Sequence, residues 1–579
     1  MRYHILATDF DGTLAHDGQV ATTTISAIQR LADSGRKVVL VTGREMPSLK
    51  AIFAELKLFH WIVAENGGLL YEPSTEKEIL LGVPAPPSFV ETLLQRGVGG
   101  ISVGRCVVAT WSPHENVVLD TIRDLGLELH VVFNKGAVMI LPPGINKASG
   151  LERALLEMGL SSRNTVGVGD AENDHAFLKV CEFSAATANA LPALKKVVDL
   201  VLKKDHGAGV VELIDHLIES DLRTFPPSTG KQRLLVGTSE SKEVCLSPFG
   251  GPVLICGPSG SGKSTLANRI VDAVMEDACQ FCLVDPEGDF DSFQGAIVLG
   301  GPNSAPQIEE VLHALEQPNS NVVVCLTGIP IPDRPTFFLQ LLGRLNQLRT
   351  KTGRPHWLIL DEAHHLMPAN WQLPAEILPT DWTNVVLITV NATSLPLAVL
   401  QRVDVIAIVG HDAEKTMHDF ATATKRSTPL LPLPSLDAGD VWLWNIIDSA
   451  DPVRIRALKS DREHTRHRRK YAEGQLAPEK SFYFRGPHGS LNLRAQNLTL
   501  FCQLAEGIDD ETWVYHLERN DYSRWFRYCI HDDDLAAETE LIATQTESTV
   551  AESKARILAA IQRNYILLSS SLISVGGAM

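Results

Sequence analysis

Apolar residues over the first 222 positions fall in short runs separated by stretches of helical spacing. Runs of this kind read as strands buried on both faces, and their alternation with helical patterns predicts a parallel α/β sheet. They lie at Tyr3–Thr8, Lys37–Thr42, Trp61–Ala64, Val138–Leu141, Thr165–Gly169 and Val198–Val201. The rhythm breaks between about residues 83 and 137, where strand-like Ile101–Trp111 and Leu127–Phe133 surround a helical segment. That break predicts a small inserted α/β cap. A second alternating region, 233–458, has runs at Val253–Gly257, Phe281–Asp285, Asn321–Leu326, His356–Asp361, Val385–Val390 and Val405–Val409. Between the two, Phe225-Pro226-Pro227-Ser228-Thr229-Gly230 has the composition of a linker. The last region, 471–579, is mostly helical in period and rich in aromatics (Phe482, Tyr483, Phe484, Trp513, Tyr522, Trp525, Phe526), expected as packing anchors.

Composition adds bounds. A chain of 579 residues exceeds one core, so two to four domains are expected. Apolar content of 44% and charged content of 21% are those of an ordinary globular protein. A net charge of −17 disfavours nonspecific adhesion to nucleic acid over the whole surface. The nine cysteines show no framework spacing; Cys279-Gln280-Phe281-Cys282 lies in an apolar stretch and reads as a buried structural pair rather than a redox or zinc site. The first residues run directly into an acidic motif, which leaves no room for a cleaved signal peptide, and no apolar run reaches membrane-spanning length. The expectation is a cytoplasmic protein without a membrane partner.

Four strand ends carry polar groups suited to phosphoryl transfer. Asp9 and Asp11 sit two apart just past the first strand, and that spacing in extended chain puts both carboxylates on one side. One can attack phosphorus while the other handles protons, and Gly12 lets the backbone turn tightly. Thr42, in Thr42-Gly43-Arg44, offers a hydroxyl to a phosphate oxygen, and Lys147 offers a point charge. Gly169-Asp170-Ala171-Glu172-Asn173-Asp174 brings acidic groups suited to magnesium, a hard cation that prefers oxygen ligands.

Together and in this order, residues 1–222 resemble the haloacid dehalogenase superfamily. Asn66-Gly67-Gly68 and the position of the cap narrow the resemblance to class IIB, the Cof-type and sugar-phosphatase branch. It implies a Rossmann-like phosphatase domain that hydrolyses phosphomonoesters in two steps. Asp9 would form an aspartyl-phosphate, and Asp11 would protonate the leaving oxygen and then activate water. Magnesium would be held by Asp9, the Asp11 carbonyl and Asp170 with Asp174 in support, while Thr42 and Lys147 grip the phosphoryl group. Ala171 replaces a glycine common in the branch. Gly99-Gly100-Ile101-Ser102 and Arg105 are candidate cap contacts, although surface loop is the plainer reading.

The second region opens with a different device. Gly257-Pro258-Ser259-Gly260-Ser261-Gly262-Lys263-Ser264, followed by Thr265, matches GxxxxGK[ST] between a strand and a helical pattern. In that context backbone N–H groups cradle phosphates, Lys263 meets the β and γ oxygens, and Ser264 ligates magnesium. Asp361 and Glu362 end an apolar strand downstream; Asp361 suits the outer side of the magnesium and Glu362 suits polarising the attacking water. With no guanine-specifying NKxD sequence, ATP is the expected nucleotide. His364 and His365 read as neighbours of the acidic site rather than metal ligands.

Val284-Asp285-Pro286-Glu287-Gly288-Asp289, Asp361-Glu362-Ala363-His364-His365 and Thr389-Val390-Asn391-Ala392-Thr393 resemble the HerA/FtsK group of ring-forming ATPases. The resemblance implies Asn391 as a γ-phosphate sensor, Arg402 or Arg426 as a trans-acting finger, and a homo-oligomer through the ATPase domain. The β-barrel that commonly precedes such motors is absent. Asp461–Lys470, with Arg466-His467-Arg468-Arg469-Lys470, reads as a solvated basic helix rather than a nucleic-acid contact. The leading expectation is therefore a magnesium-dependent phosphatase acting on a small phosphorylated metabolite, such as a sugar phosphate, fused to an ATP-hydrolysing module with a regulatory or assembly role. The alternative is a nucleic-acid-translocating ATPase with an end-processing phosphatase domain; a third reading is an ATP-gated scaffold.

Overall fold

A computed structural model of the chain describes all residues except 135, 226–233, 241, 248–249, 259–260, 291–292, 372–377, 380–381, 428, 430–432, 448–450, 461–470, 473–475, 477–479, 490, 531, 545–548 and 567–579. Most of the expected linker and the basic stretch Asp461–Lys470 lie outside the described residues, as do Ser259 and Gly260 of the glycine-rich loop. The chain forms two compact units, Met1–Leu458 and Lys459–Met579. Both alternating regions fall in the first.

The N-terminal part begins with β1 (Ile5–Asp9), β2 (Lys37–Val41), β3 (Trp61–Ala64), β4 (Leu69–Glu72) and β5 (Lys77–Leu80). The inserted cap supplies β6 (Ser102–Val103), β7 (Val108–Trp111), β8 (His130–Asn134) and β9 (Ala137–Leu141). The chain then returns through β10 (Thr165–Gly169), β11 (Phe183–Ala186) and β12 (Leu200–Val201). The main sheet has the order β12-β11-β10-β1-β2-β3-β4-β5. It is parallel from β12 to β3, and β4 and β5 extend it as antiparallel strands. Its central strands are buried on both faces, as their unbroken apolar runs require.

One strand falls in a different sheet from the one expected. Val138–Leu141 belongs to the antiparallel cap sheet, of order β6-β7-β9-β8, and not to the parallel sheet. A short apolar run specifies burial but not which sheet provides it. The cap sheet buries Val108, Val138 and Ile140 with Phe89, Leu93, Val118 and Ile122 of helices Pro87–Gln95 and Glu115–Asp124. Its other face, with Met139 and Leu141, turns towards the parallel sheet's loops: Met139 Cε lies 3.5 Å from where a β-carbon on Gly43 would stand.

The second part contributes β13 (Leu234–Ser239), β14 (Lys242–Leu246), β15 (Val253–Cys256), β16 (Phe281–Asp285), β17 (Ile297–Leu299), β18 (Val322–Cys325), β19 (Trp357–Leu360), β20 (Val385–Thr389), β21 (Val405–Ile408), β22 (Asp440–Asn445) and β23 (Val453–Ala457). They form one sheet, ordered β14-β13-β23-β22-β21-β15-β20-β19-β16-β18-β17. Strands β21 to β17 of that order are parallel, and β22, β23, β13 and β14 add an antiparallel wing that the apolar runs alone did not predict. Cys279 and Cys282 are buried and free, with burial pushing both thiols up, which suits a packing role.

The second unit is mostly helical. Its helices Leu498–Gly507, Asp510–Glu518, Asp521–Tyr528 and Val550–Ile561 and a short hairpin, Phe482–Phe484 with Leu493–Ala495, enclose an aromatic core. Phe482, Phe484, Trp513, Tyr522, Trp525 and Phe526 are buried, with Trp513 and Tyr522 stacked at 4.5 Å between ring centroids. Faces packed against one another are not a platform for bases. Among the described residues, no helix is long and apolar enough to cross a membrane.

Candidate active sites

Parallel strands place their C-terminal ends together, and the polar groups singled out above follow such ends, except Lys147, which a helix after the cap supplies. Asp9 closes β1 and pairs with Val41, the residue before Thr42; on the other side β1 pairs with β10, which leads into Asp170. Gly12 adopts φ +92, which few other residues would tolerate, and so turns the chain after Asp11. Lys147 begins helix Lys147–Glu157, whose N-cap Asn146 and Ser149 form a reciprocal capping box. That cap fixes where the lysine enters the site.

The lysine is buried at 2% exposure and bridges two carboxylates, donating to Asp9 Oδ1 at 2.5 Å and Asp174 Oδ1 at 2.6 Å. Burial alone would lower its pKa, but Asp174 and Asp9 more than reverse this and hold it above the ordinary lysine value. Asp174 accepts on its other oxygen from the backbone N–H groups of Asp170 and Ala171, at 2.8 and 2.9 Å. It thus orients the loop that carries Asp170, while Asp170 Oδ1 accepts from Thr13 Oγ1 at 3.0 Å. Ala171 has φ −120, open to any residue, so the missing glycine costs no strain.

Asp9, Asp170 and Asp174 each present a carboxylate oxygen within 4.8 Å of the others. Burial, then the charge of Asp174, push Asp9 up to about 8 despite Lys147. Three buried carboxylates against one ammonium leave negative charge uncompensated, and hard oxygen donors at this spacing fit a hard divalent cation. With both its oxygens engaged, Asp174 supports such a site from behind.

Asp11 lies nearer the surface and is gripped by a residue to which the sequence reading gave no role. Arg44 Nε donates to Asp11 Oδ2 at 2.6 Å and its terminal nitrogen to Oδ1 at 2.7 Å, a bidentate fork. The hydrogen bond to Asp11 raises the guanidinium's pKa. Thr42 is buried, and its hydroxyl accepts from Arg44 N at 3.1 Å. The only sequence signal for Arg44 was its place next to Thr42-Gly43. Of the loop candidates in the cap, Ser102 Oγ donates to Glu45 Oε1 at 2.5 Å, and Arg105 donates through its main chain to Glu65.

The P-loop follows β15. Gly262, at φ +102, caps helix Lys263–Glu276, and Ser264 and Thr265 lie half-buried in its first turn. Lys263 Nζ folds back on its own loop, donating to the carbonyls of Gly257 and Pro258 at 2.8 and 2.9 Å. Burial lowers its pKa, and Glu362 and Asp361 act against that. Asp361 is buried after β19 and accepts from Glu362 N at 3.1 Å. Glu362 has φ +37, a strained backbone of the kind found where function over-determines a residue. Burial raises its pKa, and His364 Nδ1 stands 3.3 Å from its Oε2.

Other candidates are engaged locally. Asn391 Oδ1 caps its own turn, accepting from the Thr393 amide at 3.0 Å and hydroxyl at 3.1 Å. Arg426 donates to the carbonyls of Val403 and Gln401 at 2.8 and 2.9 Å, and Arg402 donates to that of Pro379. The contacts of all three are to protein groups of the same domain.

Comparison with known proteins finds matches for both parts of the first unit. Residues 6–97 and 120–214 match the family of haloacid dehalogenase-like hydrolases, and residues 250–397 match an AAA domain. Phosphoglycolate phosphatase 2 of Saccharolobus solfataricus is 28% identical over 224 residues, covering 38% of this chain and 93% of that protein. The phosphoglycolate phosphatase of Halorubrum lacusprofundi is 30% identical over 230 residues, covering 38% and 97%. A solved haloacid dehalogenase-like hydrolase from Bacteroides thetaiotaomicron aligns with 37% of this chain and 99% of its own at 18% identity and a TM-score of 0.33. The chain belongs to the haloacid dehalogenase-like hydrolases, as a phosphatase of that family fused to an AAA-type P-loop ATPase domain.

Proposed function

We propose that residues 1–222 hydrolyse a small phosphomonoester through a phosphoaspartate on Asp9, with Mg2+, and that residues 233–458 bind and hydrolyse ATP. The observation that carries the first half is Lys147 set between Asp9 and Asp174 at 2.5 and 2.6 Å, beside an Asp11 forked by Arg44. Asp9 Oδ attacks phosphorus, and the bond from phosphorus to the leaving oxygen breaks. Asp11, protonated while the Arg44 fork is open, gives its proton to that oxygen; as a carboxylate held again by the fork, it takes one from the water that cleaves the acyl phosphate. Lys147 holds Asp9 in place and neutralises phosphoryl charge, and Thr42 donates its hydroxyl to a phosphoryl oxygen. Asp9 and Asp170, with Asp174 in support, would hold Mg2+, which would supply positive charge to offset that of the phosphoryl group.

The substrate class is a short phosphorylated metabolite. Relatives named phosphoglycolate phosphatases, matched over nearly their whole length, favour a small acid phosphate as the first compound to try. In the ATPase part, Lys263 and the loop amides take the phosphates, Ser264 and Asp361 the magnesium side, and Glu362 polarises water. ATP turnover would regulate or assemble the phosphatase. A screen of phosphometabolites with and without ATP tests the reading. Release of phosphate from a small phosphomonoester, lost in Asp9→Asn while ATPase activity survives, is the expected result. Phosphate release that Asp9→Asn leaves intact would overturn it.

A further inference from the structure

The cap is joined to the parallel sheet by two linkers, around residues 81–86 and 142–146, and touches it at a third place that no motif announced. Glu65, just past β3, is fully buried with its backbone at φ +51. Its carboxylate accepts three N–H groups from the turn between β6 and β7: Arg105 at 2.9 Å, Cys106 at 2.7 Å and Val107 at 3.0 Å. The turn comes this close because Gly104 has no side chain; a β-carbon there would stand 2.7 Å from the carboxylate carbon. On its other side the Glu65 backbone N–H donates to the Arg44 carbonyl at 2.9 Å, and Asn66 N–H donates to that of Thr42 at 3.0 Å. One buried anion therefore connects the cap's turn to the loop bearing Thr42 and the fork on Asp11.

This contact lies beside the linkers. Cys106 Sγ is 3.7 Å from the Gly82 carbonyl, and Val107 packs with Leu141 and Ile145. Swinging the cap while this corner stays attached leaves Glu65 at the pivot. Detaching the corner would strand a carboxylate that three amides now satisfy, which is costly for a buried charge. Backbone held in a sparsely populated conformation for such a contact is characteristic of sites where position matters.

We infer that Glu65 is a positioning residue for the phosphatase: it fixes the cap's turn as the pivot and thereby sets where the cap face bearing Met139 stands over the Thr42–Arg44 loop. The inference rests on the phosphatase reading above. Its test uses the full chain as wild type, Glu65→Gln and Glu65→Ala, with p-nitrophenyl phosphate as the probe. In Glu65→Gln one acceptor becomes a donor that faces an amide; in Glu65→Ala all three acceptor contacts vanish. Loss of position predicts a KM raised about tenfold with kcat changed much less, in folded protein of unchanged ATPase activity. It also predicts faster hydrogen exchange at the Arg105–Val107 amides, with exchange in the parallel sheet unaltered. A KM equal to wild type, or unchanged exchange at those amides, overturns the inference. The exchange measurement is independent of turnover, so a wild type inactive like Asp9→Asn would sink the phosphatase reading alone.

Discussion

His356 Nε2 lies 3.0 Å from Asn164 Oδ1, in a buried contact that joins the two large sheets of the first unit. Asn164 precedes β10 and His356 precedes β19, so the contact is at the N-terminal edge of both. Arg354 reinforces it, donating to the Gly159 carbonyl at 2.5 Å across the junction and to Gln280 Oε1 at 2.9 Å on its own side. Asp9 and Asp170 in one sheet, and the P-loop and Asp361 in the other, follow C-terminal strand ends. The two sites therefore lie on the sides of their sheets away from the junction. Replacing His356 by Ala should lower the stability of the unit by about 1–3 kcal/mol, since Asn164 and the Gln280 amide lose a buried partner. Denaturant unfolding followed with both activities should show this, with KM at each site unchanged in the folded protein.

The same histidine gives a pH dependence of known sign. Burial, then the charge of Arg354, hold His356 down to about 3, and burial holds His4 down to about 4. Both stay neutral in the folded chain but protonate near their ordinary value of about 6.5 once unfolded. Below that pH the unfolded chain binds protons that the folded chain refuses. Their contribution is fully present above about 6.5 and falls as pH drops towards 4, by up to about 1.4 kcal/mol per pH unit for each. His356→Gln should unfold with a shallower loss of stability between pH 6.5 and 5 than wild type; an identical slope would count against the assignment.

Arg44 should matter through its fork on Asp11. Arg44→Ala leaves the proton-handling carboxylate free to turn, and phosphatase kcat should fall by about ten- to a hundredfold with Asp9 intact. Arg44→Lys should recover little, because an ammonium cannot reproduce two parallel N–H bonds. Full rescue by lysine would mean that charge alone suffices.

In the ATPase part, Lys263→Ala should abolish nucleotide binding, whereas Glu362→Gln should bind ATP and fail to turn it over. Equilibrium binding of a fluorescent ATP analogue, set beside phosphate release, separates the two. A Glu362→Gln protein of undiminished turnover would remove Glu362 from its role.

Much of this arrangement was readable in the chain, for a physical reason. Strands buried on both faces need unbroken apolar runs, and polar residues at the ends of such runs gather along one edge of a parallel sheet. Asp9, Asp170 and Asp174 were found in that way, whereas Lys147 follows a strand of the cap sheet and enters the site from a helix N-terminus. Burial at β9 was evident from Val138-Met139-Ile140-Leu141, but an apolar run cannot say whether a cap or a core covers it. The hairpins β13–β14 and β22–β23 join into one antiparallel wing only through pairing between segments some 200 residues apart, as Gly237 with Ala457 shows. Glu65 stayed hidden for a similar reason. A glutamate in a loop reads as solvated, and only a turn 40 residues away makes it a buried acceptor.

The central claim is that Asp9 takes up phosphorus covalently. Rapid quenching in acid during turnover of the best substrate from the phosphometabolite panel, followed by peptide mass spectrometry, tests it directly. The account predicts phosphate on the peptide carrying Asp9 in wild type and none in Asp9→Asn. Phosphate found on another residue, or turnover unimpaired in Asp9→Asn, would contradict it.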